Sequence, residues 1–162
     1  MQSQHETHPR GFKFIFWGEL AERSSFYGMK ALLAMYLVAV MGYQEEDAGP
    51  INHMFTAMCY LLPIAGGFIA DRWLGKFKTI IWFAVPYILG HIILGSAESR
   101  PVMFVALALL AMGSGVIKPN LSPLMGMMYD AEGKSNALRL KAFSYFYAAI
   151  NIGAAASMLT LP

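Results

Sequence analysis

The feature that most restricts this chain is a pair of apolar runs, Ile51 to Ala70 and Thr79 to Ala97, that contain no Asp, Glu, Lys or Arg. At about 1.5 Å of rise per helical residue, runs of this length match a hydrocarbon core about 30 Å thick. Three further long runs flank them: Phe12 to Tyr43, which is interrupted by charges; Val102 to about Tyr129, with one lysine, Lys118; and Ala142 to Leu161. None alternates apolar and polar residues for long, and barrel strands are about half as long, so helices are expected. Of the 162 residues, 57% are hydrophobic and 14% charged, against about a quarter charged in soluble domains. The reading is an all-α, multi-span helical membrane protein with spans at about 12–43, 51–70, 79–97, 102–129 and 142–161. Residues 1–11 form a polar cytoplasmic leader without the basic-then-apolar pattern of a signal peptide.

Orientation follows from where the twelve basic residues sit. Eight lie in the leader (Arg10, Lys13), the second joint (Arg72, Lys76, Lys78) and the fourth joint (Lys134, Arg139, Lys141), whereas the first and third joints hold only Arg100. This places the N-terminus in the cytoplasm and the acidic cluster Glu45, Glu46, Asp47 outside. Pro50 and Pro101 suit the first turn of a helix, where a missing N–H costs nothing. A net charge of +2 points to no nucleic-acid partner, and Cys59, the one cysteine, has no internal disulfide partner.

The remaining basic residues, Arg23, Lys30 and Lys118, lie inside spans, and the first span also holds Glu19 and Glu22. A charge at mid-helix costs about 2.5–3.5 kcal/mol on insertion scales, so four in one span cannot face lipid cheaply. Positions 19, 22, 23, 26, 27 and 30 follow the i, i+3, i+4, i+7 rule and share one face, which is expected to line an enclosed, wet cavity. An arginine favours the charged form of a nearby carboxylate, while low dielectric and a second carboxylate oppose it, so the proton affinities of such a set are coupled. Two readings stand: a proton-exchanging cluster, or a buried ion-pair staple.

Lys118 lies in GSGVIKPNLSP. Pro119 removes a ladder donor and is expected to kink the helix, and Gly113 and Gly115 permit close approach of a neighbour. The lysine reads as a partner for a substrate carboxylate or for Glu22, or as a side chain snorkelling to the interface. Asn120 reads as a helix–helix hydrogen bonder before a ligand, and His91 as a packing residue. His53 shares a face with Thr56, Tyr60 and Gly67, open to either a cavity or a packing role; Tyr147 and Asn151 stack at i, i+4. No zinc-ligand spacing, HExxH or Walker-type loop is present. No catalytic residue, metal site or cofactor is expected.

Four strings together resemble one family. GELAERSSFYGMKALL resembles the E-x-x-E-R-F-x-Y-Y-G-M-R motif in the first helix of proton-dependent oligopeptide transporters, within the major facilitator superfamily. HMFTAMCYLLPIAGGFIADRWLGKFKTI resembles the second helix and following cytoplasmic loop, GSGVIKPNLSPLMG the fourth-helix G-x-G-x-x-K-P segment, and FSYFYAAINIG the fifth-helix signature. They occur in the family's order over about residues 12–162.

The resemblance implies the first five helices of an N-terminal six-helix bundle. It implies proton coupling by Glu19, Glu22, Arg23 and His53, with Glu22 as the proton carrier, and peptide binding by Tyr27, Lys30, Tyr60, Lys118 and Asn151. Gly67, Asp71, Arg72, Gly75 and Lys76 match the cytoplasmic loop signature. Ser24, Phe26 and Lys30 stand where the pattern has Phe, Tyr and Arg. The expected function is proton-coupled symport of di- and tripeptides across the plasma (inner) membrane, with protons as the only coupling species and no enzymatic activity. Expected partners are small peptides, protons, the lipid bilayer and the C-terminal helical half of the same protein, the chain reading as truncated after its fifth span. The alternatives are a major facilitator porter for another solute and a non-transporting membrane fragment or interaction protein.

Overall fold

The computed structural model describes residues 6–160, and within them the chain is five helices and no strand. α1 spans Phe12–Ala39, α2 Glu45–Ile69, α3 Lys76–Gly95, α4 Arg100–Ala131 and α5 Asn136–Thr160; a π-helical turn, Ala70–Leu74, continues α2. Four stretches are long and apolar enough to cross a membrane: Glu45–Leu74, Lys76–Gly95, Arg100–Ala131 and Asn136–Leu159. α1, which carries Glu19, Glu22, Arg23 and Lys30, is not among them.

Helix ends depart from the sequence reading: α1 stops at Ala39 rather than Tyr43, and α3 begins at Lys76, so Lys76 and Lys78, read as joint residues, are helical. α2 begins at Glu45, so Pro50 lies inside the helix rather than in its first turn; Glu45, Glu46 and Asp47 complement the positive helix N-terminus and draw the start forward. Asp71 and Arg72 lie in the π turn, not in a loop, and the chain breaks only at Gly75, whose φ of +77° is a left-handed conformation that glycine adopts without a steric penalty. α5 begins at Asn136, so Arg139 and Lys141, read as joint residues, are helical.

The chain divides into two compact units. Among the described residues the first comprises 6–28 and 121–160 and holds the early part of α1, the late part of α4, and α5. Its core includes Ile15, Leu121, Met125, Tyr129, Ala142, Phe146 and Ala149. The described part of the leader packs within this unit rather than hanging free. The Glu6 carboxylate accepts hydrogen bonds from the Ser135 amide (3.1 Å) and hydroxyl, and His8 Nδ1 bonds the Tyr129 hydroxyl at 2.5 Å.

The second unit, residues 29–120, holds the remainder of α1, α2, α3 and the early part of α4. Its core includes Leu33, Leu37, Phe55, Met103, Leu110 and Val116. The close approach expected of Gly113 and Gly115 is present: a methyl group on Gly113 would overlap Tyr87, and one on Gly115 would stand 2.7 Å from Leu62 Cβ. Over half (56%) of the most apolar window of α4 is buried, against 22% for α2 and α3. The outward faces of α2 and α3, with Ile64, Phe68, Trp82 and Ile92 exposed, are apolar as lipid requires.

Candidate functional site

The first unit gathers Glu19, Glu22 and Arg23 of α1. Glu19, Glu22 and Arg23 are 4%, 6% and 6% exposed. Arg23 Nε stands 3.1 Å from Glu19 Oε1, one turn away, and its terminal nitrogen pairs with Glu22 Oε2. The guanidinium also lies over the Phe26 ring, 5.8 Å from its centroid. Taken by themselves these three side chains sum to one negative charge, and a single proton makes the set neutral. The face expected to line a wet cavity is thus divided: Glu19, Glu22, Arg23 and Phe26 are packed, whereas Tyr27 and Lys30 are half-buried.

α5 packs on the same stretch of α1. Ser157 donates its hydroxyl to the Ser24 carbonyl at 2.6 Å, and Gly153 abuts Arg23. Ser24 and Ser25 return their hydroxyls to the carbonyls of Leu20 (2.8 Å) and Glu22 (3.0 Å). Sequence reasoning missed Gly153 and Ser157, although their small-xxx-small spacing is a helix-contact signal. Asn151 is exposed, and its side-chain amide donates to Tyr147 O, 2.9 Å away on the same helix.

In the second unit Lys30 and Lys118 are half-buried, His53 is exposed and Tyr60 is 77% exposed. α4 runs as one helix through Pro119 to Ala131. Asn120 is fully buried and donates to Gly66 O on α2 (3.2 Å) and Val116 O (2.8 Å), the helix–helix role read for it. His91 meets the Tyr87 ring edge-on and lines an apolar cavity of about 220 Å³ with Leu33, Tyr36 and Leu94.

The π turn organises the residues matched to the loop signature. Gly75 N donates to Ala70 O at 2.9 Å, an i to i+5 bond, and the same spacing brings Lys76 Nζ to 2.5 Å from Asp71 Oδ1. Gly67 lies in α2, half-buried, with open space where its side chain would be, and Arg72 is exposed.

The model of the POT family matches residues 77–162, more than half of the chain. The chain belongs to the POT family. Among curated relatives of this POT chain, solute carrier family 15 member 2 of Rattus norvegicus is 38% identical over 165 residues, and peptide transporter family 1 of Drosophila melanogaster 38% over 162. Each match covers 96% of the chain but only 22% of the relative, so the chain spans about a fifth of their length. A crystal structure of the peptide transporter POT (E310Q mutant) in complex with alafosfalin is similar at 34% identity and a TM-score of 0.87, over 98% of this chain and 33% of that one. The five helices have the architecture of POT-type major facilitator transporters, and the chain is a multi-pass membrane protein.

Proposed function

We propose that this chain is the N-terminal section of a proton-coupled symporter of di- and tripeptides, in the plasma membrane with its N-terminus in the cytoplasm. The observation that carries the reading is the buried Glu19–Arg23–Glu22 cluster. A carboxylate held by an arginine in low dielectric has two states: ionised and paired, or protonated and released. Proton uptake at Glu22 frees Arg23 to re-pair, and that exchange couples proton entry to helix rearrangement around a peptide. His53 assists the relay. Lys118 engages the peptide carboxylate, with Tyr27, Lys30, Tyr60 and Asn151 as further contacts, and the C-terminal half supplies the opposite wall. The eight-to-one distribution of loop basic residues supports the orientation, and the Asp71–Lys76 turn then lies on the cytoplasmic side. No cofactor enters the scheme, and it includes no enzymatic step.

In the full-length transporter that contains this segment, Glu22→Gln is expected to abolish proton-driven dipeptide uptake into proteoliposomes while counterflow exchange persists. Driven uptake at the wild-type rate would overturn the reading.

A further inference from the structure

Arg23 leaves the α1 backbone where α5 comes close. A methyl group on Gly153 would stand 2.9 Å from Arg23 Cβ, 3.0 Å from the Leu20 carbonyl oxygen and 3.1 Å from the Ser24 nitrogen. Two of those neighbours are backbone atoms that cannot swing aside, so a glycine is what leaves the arginine stem its path. One turn along α5, the Ser157 hydroxyl, 5% exposed, reaches two carbonyls: Ser24 O at 2.6 Å across the helix contact and Gly153 O at 2.9 Å on its own helix. A serine in an apolar helix can return its single proton to its own i−4 carbonyl. Here the nearer oxygen is the one on α1, 2.6 Å against 2.9 Å, so the proton is drawn across the helix contact and fixes the rotation and height of α1 against α5 at the residue next to Arg23.

Resting on the function proposed above, we infer that Gly153 and Ser157 are positioning residues for proton coupling. Together they fix where the Arg23 guanidinium meets Glu22. Neither touches the carboxylates in the contacts described; they act through the arginine stem and the α1 backbone.

The test is the pH profile of proton-driven dialanine uptake by the full-length transporter in proteoliposomes. Loosening the arginine from its carboxylate favours the protonated acid, so Ser157→Ala is expected to move the pH midpoint upward by about one unit. Ser157→Thr keeps the hydroxyl and is expected to restore the wild-type midpoint. Gly153→Ala is expected to shift the midpoint in the same direction and to lower folded yield; Ser157→Ala carries the test if that variant does not fold. A fall in rate with an unmoved midpoint in Ser157→Ala would make the residue a packing element and overturn the inference. Absence of proton-driven uptake in the wild type would instead overturn the transport reading itself.

Discussion

Asn120 donates its side-chain amide to the backbone carbonyl of Gly66, so a fully buried polar group on α4 finds a partner on α2. Among membrane helices such bonds contribute about 0.6 kcal/mol on average and up to about 1.7. Asn120→Ala also leaves a small cavity. The combined cost is expected to be about 1–2 kcal/mol, read as a melting-temperature drop of a few degrees in detergent. An unchanged transition would show that the bond contributes nothing.

Gly66 and Gly67 are neighbours with opposite demands. A methyl on Gly66 would stand 2.7 Å from Val116 Cα, a backbone atom, whereas one on Gly67 meets nothing within 4 Å. Gly66→Ala is expected to destabilise the chain by about 1–3 kcal/mol through overpacking. Gly67→Ala is expected to be neutral or to stabilise by up to about 1 kcal/mol, because alanine is the better helix former. Equal effects on thermal unfolding would contradict the helix contact.

Arg100 clasps the α1–α2 joint, with Nε 3.3 Å from Met41 O, a terminal nitrogen 2.8 Å from Gly42 O, and the guanidinium 4.0 Å from the Tyr43 ring centroid. Arg100→Ala is expected to cost about 1–2 kcal/mol. Arg100→Lys should recover less than half, since an ammonium lacks the planar fork that serves carbonyls and ring together. Full recovery by lysine in the same unfolding assay would reduce the clasp to simple charge.

The leader's attachment is expected to weaken on acidification in two steps. Burial first, and the Lys141 charge second, hold the His8 proton affinity below its ordinary value. The hydroxyl and amide of Ser135 lower that of the Glu6 carboxyl. For both groups the folded value is depressed, so their contribution is complete above the unfolded value and fades as pH falls through the folded one. Hydrogen exchange at residues 6–11, corrected for intrinsic rates, is expected to rise as pH drops below about 6.5 and again below about 4.5. His8→Ala should remove the first step and keep the second. A single step in both proteins would contradict the assignment.

The charged face of α1 was legible because helical spacing alone superimposes Glu19, Glu22 and Arg23, and the low dielectric forces them together. Gly113 and Gly115 were legible as contact points because a missing side chain has few other uses in a span. The docking of Glu6 on Ser135 was not, since polar residues 129 positions apart carry no periodicity that pairs them. Nor did sequence separate Gly66 from Gly67, whose difference is one of helix rotation. The Ser157–Ser24 bond had a spacing signal in Gly153 and Ser157, but that pattern does not name the partner helix.

The π turn at Ala70–Leu74 has the form of one extra residue in an otherwise α-helical ladder. Deleting a single residue there would let the ladder close as an ordinary turn while leaving Gly66 on Val116. Because five residues of a π turn sweep about the angle that four sweep in an α turn, the residues beyond would keep nearly the same faces, and Asp71 and Lys76 would become an i, i+4 pair. A one-residue gap at this point in a comparison with a relative therefore marks a gained or lost π turn rather than a rotated helix, and residues on its two sides cannot be assigned to faces by one continuous count.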